Sequence, residues 1–188
     1  NAVQLGYTSS FSIYDSDDSL GAIKRIMEIL HIPRDQFNPN AVRSRISSAK
    51  NQMISPTEYA DMARDFFTEK VAVIYPAYVS SLHEANAMDF DDLLTKTIEL
   101  FTRNPDIQQK YARRFKYVLV DEYQDTNRAQ YTVVKQLSTE HHNLTVVGDD
   151  AQSIYAFRGA DIKNILDFER DFPEVKLFRL EQTYRSTQ

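Results

Sequence analysis

Residues 117–126 read Tyr-Val-Leu-Val-Asp-Glu-Tyr-Gln-Asp-Thr, an apolar run that ends in two adjacent acids. A short continuous apolar run is the pattern of a strand buried on both faces. Leu144-Thr145-Val146-Val147 repeats it, and Val175 to Leu180 suggests a third strand. Between these runs, Tyr131, Val134 and Leu137 align on a helix over 127–137, and Ile162, Ile165, Leu166 and Phe168 align on one over 161–172. Strands of about five residues alternating with helices of about ten to twelve imply crossover connections and a parallel sheet. The expected fold class is therefore α/β, and ligands in such sheets sit beyond the C-terminal ends of the strands.

Upstream the pattern changes to one helix after another. Ser16, Asp17 and Asp18 offer N-caps for a helix with Leu20, Ile23, Ile26, Met27 and Leu30 on one face, which Pro33 stops. A second helix is expected over 40–51. Ser55-Pro56-Thr57-Glu58 is a capping box with Pro at the first helical position, followed by Tyr59, Met62, Ala63 and Phe66 at helical spacing. A fourth helix over 69–85 contains Pro76, which would kink it. The next starts near Asp89 and aligns Leu93, Leu94, Ile98 and Phe101. These stripes read as core packing.

Composition narrows the function. The 188 residues carry a net charge of −5, with 42% hydrophobic and 26% charged residues, as in an ordinary globular chain. Both halves are mildly acidic, so contact with nucleic acid must come from local placement and stacking and not from a basic face. No cysteine is present, which excludes disulfides and thiolate metal sites. No apolar run reaches the ~18 residues that span a bilayer, and the N-terminus is not a signal peptide. The four glycines are Gly6, Gly21, Gly148 and Gly159, and none precedes a lysine. Neither G-x-x-x-x-G-K-[ST] nor G-x-G-x-x-G is present.

The strand ends hold the candidate chemistry. Asp121 can hold a hydrated Mg²⁺, which prefers one or two carboxylates, and Glu122 can polarise a water for attack on a phosphoryl group. From spacing alone, Asp121 capping a turn beside a solvated Glu122 stands open as the alternative. After the second strand, Gly148 permits a sharp exit and Gln152 suits contact with a terminal phosphate. Tyr155, Phe157 and Arg158 are flat groups that can stack on bases, or Tyr155 and Phe157 pack under the loop. After the third, Arg185 can neutralise phosphoryl charge and Tyr184 can stack on a purine, or both belong to an exposed tail.

Together VLVDEYQDTNRAQY, VVGDDAQSIYAFRGADI and LEQTYRS, with Met88-Asp89-Phe90-Asp91-Asp92-Leu93-Leu94 upstream, resemble motifs II, III and IV and the MDFDDL segment of UvrD/Rep/PcrA-type superfamily 1 DNA helicases. The resemblance implies Asp121 as the Mg²⁺-associated acid and Glu122 as the catalytic base. It implies Gln152 as γ-phosphate sensor, Tyr184 as the adenine-stacking residue and Arg185 as a γ-phosphate contact. Phe90, Tyr155, Phe157 and Arg158 fall where the family meets single-stranded DNA. ATP and Mg²⁺ are the implied cofactors, and single-stranded and duplex-junction DNA the implied partners, in the bacterial cytoplasm and with no membrane. The sequence departs from the family pattern at Ala151, Phe157 and Thr183, where an acid, Trp and Asn are common.

The same resemblance divides the chain into a residual motor segment over 1–14, a helical 1B subdomain over 15–86 and the later part of a RecA-like motor domain over 87–188. It reads as a piece of a P-loop NTPase sheet with an all-helical insertion, lacking its phosphate loop. A piece of this kind is expected to be inactive alone and to self-associate through an incomplete sheet. The alternatives are the motor of a helicase–nuclease, or a nucleotide-independent module that binds DNA or a protein partner.

Overall fold

A computed structural model describes residues 1–149 and 168–179. The helical part begins with β1 (Ser12–Tyr14) and α1 (Ser16–Ile29), followed by α2 (Pro39–Asn51), α3 (Pro56–Met62), α4 (Phe66–Glu84) and β2 (Ala87–Asp89). Then come α5 (Phe90–Arg103), α6 (Pro105–Arg114), β3 (Val118–Val120), α7 (Arg128–Leu137) and β4 (Leu144–Val146). A short helical turn spans Phe168–Asp171.

Local chemistry sets most helix starts. Asp15, Ser55, Asp65, Asp89 and Asn127 each close a capping box with the residue three positions on, satisfying two backbone donors at once. The cap of α1 is thus Asp15, one residue before the expected group. Helix α1 also ends earlier than Pro33 would require. His31 N–H bonds Glu28 O at 3.1 Å and Ile32 N–H bonds Met27 O at 2.8 Å, which closes the helix end with His31 in the left-handed region at φ 53°. Helix α4 runs through Pro76. Tyr59 is buried as expected, but Met62 and Phe66 are exposed, because α3 stops at Met62 and Phe66 opens α4.

A single apolar cluster holds α1, α2, α3, α4 and β2 together, with Ile23, Met27, Val42, Ile46, Val71 and Ile74 at its centre. The sheet is less continuous than expected. Among the described residues the strands form two separate two-stranded parallel sheets, β1 with β2 and β3 with β4. Strands β1 and β2 were not visible in the sequence pattern. They pair Ser12 with Ala87 and Tyr14 with Asp89, so the chain leaves and rejoins one place across the helical region.

Strand β3 is not buried on both faces. Tyr117, Leu119 and Val147 are 73%, 76% and 53% exposed. By strand alternation they share one face with Thr145, and no described element covers that face. The opposite face, with Val118, Val120, Leu144 and Val146, is half-buried. Among the described residues no strand pairs with 175–179, which form none, and Leu177 and Phe178 are exposed; Leu180, the end of the expected strand, lies outside the described residues. The expected helix over 161–172 is described only from Phe168 onward.

Candidate functional site

Parallel pairing brings the exits of β3 and β4 to one edge. Val118 lies opposite Leu144 and Val120 opposite Val146. The ladder continues past both strands, with Val147 N–H donating to Val120 O at 2.8 Å and Tyr123 N–H to Val147 O at 2.9 Å. Asp121 and Glu122 therefore emerge beside Gly148 and Asp149.

Both acids are exposed. Asp121 Oδ1 accepts the Glu122 N–H at 2.9 Å. One exposed carboxylate at a strand exit fits a hydrated Mg²⁺, which keeps most of its water and takes few protein oxygens. Among the described residues no group of three or more His, Asp or Glu side chains is gathered to cage a metal. Glu122 itself is left-handed, at φ 49° and ψ 43°. Left-handed backbone costs a non-glycine residue roughly 1–2 kcal/mol, so the fold around this acid over-determines its position.

Gln124 supplies much of that constraint. It is 1% exposed, donates from Nε2 to Glu122 Oε2 at 2.7 Å and accepts Asp149 N–H on Oε1 at 3.0 Å. One buried amide thus holds the Glu122 carboxylate and the start of the loop after β4. Tyr123 is buried and meets Phe168 edge-on at 5.4 Å. The short 3₁₀ turn Tyr123–Asp125 closes with Thr126 Oγ1 donating to Tyr123 O at 2.7 Å.

A second constellation lies at the start of α5. Lys50, on the last turn of α2, is buried and reaches Asp89 Oδ2 at 2.7 Å and Asp92 Oδ1 at 2.8 Å. Tyr78 OH donates to Asp89 Oδ2 at 3.0 Å. Burial opposes ionisation of Asp89, but the Lys50 charge and its hydrogen bond outweigh this and hold the carboxyl below its usual range. Burial, with Asp89 close by, pushes Asp92 up despite the same lysine, and burial likewise raises Asp91. Burial and Asp89 raise the Tyr78 phenol well above its usual value. These contacts pin the first turn of α5, whose first residue Phe90 is 60% exposed.

Of the residues expected to act, Asp121 and Glu122 stand together, while Phe90 stands apart on α5. Gln152, Tyr155, Phe157, Arg158, Tyr184 and Arg185 lie outside the described residues. Sequence reasoning missed Gln124, Lys50, Asn51 and Asn127. Only the position of Gln124, two residues after the acid pair, carried a local signal.

A family model for the UvrD/REP helicase N-terminal domain matches residues 1–173. The chain is 46% identical over 184 residues to a Bacillus subtilis protein named ATP-dependent DNA helicase PcrA, covering 98% of this chain and 25% of that protein. A protein of the same name from Leuconostoc citreum is 45% identical over 184 residues, and one from Staphylococcus epidermidis is 46% identical over 187. The chain spans about a quarter of the length of these relatives. Among the described residues no helix is long and apolar enough to cross a membrane.

Proposed function

The chain belongs to the UvrD/REP helicase N-terminal domain family, and we propose on that premise that it supplies part of an ATP-driven motor. That motor moves 3′ to 5′ along single-stranded DNA and separates duplexes during repair or replication in the bacterial cytoplasm. The observation that carries this reading is the Asp121–Glu122 pair at the shared exit of two parallel strands, with Glu122 held by a buried amide. Asp121 would hold Mg²⁺ with the nucleotide, and the ion supplies charge neutralisation to the phosphates when bound. Glu122 takes the proton of the attacking water. A fixed carboxylate at a phosphoryl site contributes by position and charge, which are the main terms in such reactions.

In this reading Gln152 senses the terminal phosphate, Arg185 neutralises it and Tyr184 stacks on adenine. Phe90, Tyr155, Phe157 and Arg158 meet single-stranded or junction DNA. Residues 1–14 and 87–188 belong to a RecA-like motor domain, and residues 15–86 are its helical insertion. The pairing of β1 with β2 supports this division, since it closes the chain on itself across the helices.

The 188 residues lack a Gly-Lys phosphate loop, so they have no ATPase activity of their own, because most of the preorganised charge for phosphoryl transfer is missing. Phosphate release measured with oligo(dT) tests both statements. The isolated chain gives none. The complete reading frame that encodes these residues gives DNA-stimulated turnover, and Glu122→Gln lowers it by about 10²-fold or more. Turnover by the isolated chain that Glu122→Gln abolishes would overturn the inactivity; a complete frame with no DNA-stimulated hydrolysis would overturn the motor.

A further inference from the structure

Asn51 ends α2 and is buried. Its Oδ1 accepts Asn127 Nδ2 at 2.8 Å, and its own Nδ2 donates to Asp91 Oδ1 at 3.1 Å and to Ser47 O at 3.0 Å. Three elements far apart in sequence thus meet at one side-chain amide. On one side stands Asp91, the residue after exposed Phe90. On the other stands Asn127, which follows the acid-bearing turn and caps α7.

Both ends of this link are rigidly held. Asn127 Oδ1 accepts Gln130 N–H at 2.8 Å, and Gln130 Oε1 accepts Asn127 N–H at 2.9 Å. Thr126 beside it is bonded to Tyr123 O, and Gln124 within the same turn grips Glu122. At the other end Lys50, the neighbour of Asn51, grips Asp89 and Asp92 on either side of the Phe90–Asp91 pair. Consecutive residues Lys50 and Asn51 therefore fix the start of α5, and the Asn51 side chain bonds that position to Asn127.

The residue type matters. The site asks for a donor toward a carboxylate and an acceptor toward an amide at once. Asparagine provides both. Aspartate would set a carboxylate against Asp91, and an apolar residue would leave the buried Asn127 amide without its partner.

We propose that Asn51 is a positioning residue that couples Phe90 to the Glu122 turn, so that DNA held at Phe90 sets the catalytic turn through Asn51 and Asn127. This rests on the reading above, in which Phe90 meets DNA and Glu122 serves hydrolysis. A shift at α5 of a few tenths of an ångström cannot be absorbed in a fully bonded buried amide, so it is passed on. The coupling has a physical carrier, since contiguous hydrogen bonds join the two ends.

The test uses the complete reading frame and measures ATP hydrolysis with and without oligo(dT). Asn51→Ala lowers the ratio of DNA-stimulated to basal rate by about fivefold. A merely structural role would lower both rates together and leave the ratio alone. The exchange Asn51→Asp with Asp91→Asn loses the Ser47 bond but keeps a donor facing an acceptor, leaves Asn127 its acceptor, and restores part of the ratio. Hydrogen exchange of the wild-type protein needs no variant and covers the case in which Asn51→Ala does not fold. Oligo(dT) without nucleotide then protects residues 123–130 together with residues 88–93. If wild-type hydrolysis is DNA-stimulated and needs Glu122, yet Asn51→Ala keeps the wild-type ratio, or protection stops at 88–93, the coupling is overturned by itself. If wild type shows no DNA-stimulated hydrolysis, the motor reading fails and the coupling fails with it.

Discussion

Ile74 and Leu119 are aliphatic residues in apolar stretches, yet Ile74 is completely buried and Leu119 is 76% exposed. The difference separates two regions. In the helical region, α1, α2, α3 and α4 close an apolar core among themselves. In the sheet region, β3 and β4 carry the candidate chemistry but cover only one of their faces. The apolar core lies in one region and the candidate reactive groups in the other, and Lys50, Asn51 and Asn127 join them.

The largest effect should come from breaking that junction. Lys50→Met leaves Asp89 and Asp92 buried with no cation, and removing one partner of a buried ion pair costs about 3–5 kcal/mol. Urea unfolding at neutral pH reads this loss. The pH dependence has a definite sign. Asp89 in the wild type has a lowered carboxyl, which contributes stability above its unfolded value and loses it as pH falls through the folded value. Without Lys50 both carboxyls are raised instead, so their penalty is present at neutral pH and is relieved as pH falls through the raised values. The gap between Lys50→Met and wild type should therefore narrow in acid. A gap that stays constant from neutral to acidic pH would show that the lysine acts by packing alone.

The next test sets the two aliphatic residues against each other. Ile74→Ala opens a cavity in the closed core and costs about 2–5 kcal/mol. Leu119→Ala removes side chain already in water and changes stability by less than about 0.5 kcal/mol. The exposed face should act elsewhere. Tyr117, Leu119 and Val147 form an uncovered apolar surface, and such surfaces associate. Light scattering across concentration should show the 188-residue chain self-associating and Leu119→Lys shifting it toward monomer. A wild-type monomer at high concentration would count against the open face.

The helical region was the more legible of the two. The Ser55-to-Glu58 box, the Pro39–Asn51 helix within one residue, and the Ile23, Ile26 and Met27 stripe all follow from spacing three or four residues long. Strands β1 and β2 were not legible, because three residues such as Ser12–Tyr14 show no period. The apolar run over 117–120 correctly announced a strand, but a run records hydrophobicity and not what covers it. At the site, Asp121 and Glu122 could be read from their place after that run. The partners that hold them could not. Gln124 finds Asp149 across 25 residues, Asn51 finds Asn127 across 76, and Lys50 finds Asp89 across 39. No local pattern encodes such distances.

The smallest predicted effect concerns the backbone and separates the regions once more. A chain with four glycines puts other residues in left-handed positions, and among the described residues His31, Met53, Asn86, Glu122 and His142 occupy them. His31 and Met53 do so at helix ends, where glycine is the least strained choice. His31→Gly should raise stability by about 0.5–1 kcal/mol, the left-handed penalty less the entropy glycine adds to the unfolded chain. Asn86→Gly should gain nothing, because its side chain accepts Thr8 N–H at 2.8 Å and donates to Thr8 Oγ1 at 2.7 Å, and asparagine tolerates this conformation. Thermal unfolding of the two variants side by side decides the matter. A gain at both positions would mean that backbone strain outweighs the Thr8 bonds; a gain at neither would mean that these helix ends are unstrained as built. Glu122 differs from His31, Met53 and Asn86, since its strained backbone carries the candidate catalytic carboxylate and ends no helix, and strain at such a position is retained only where the surroundings fix the residue in place. The Gln124 amide is the contact that does so.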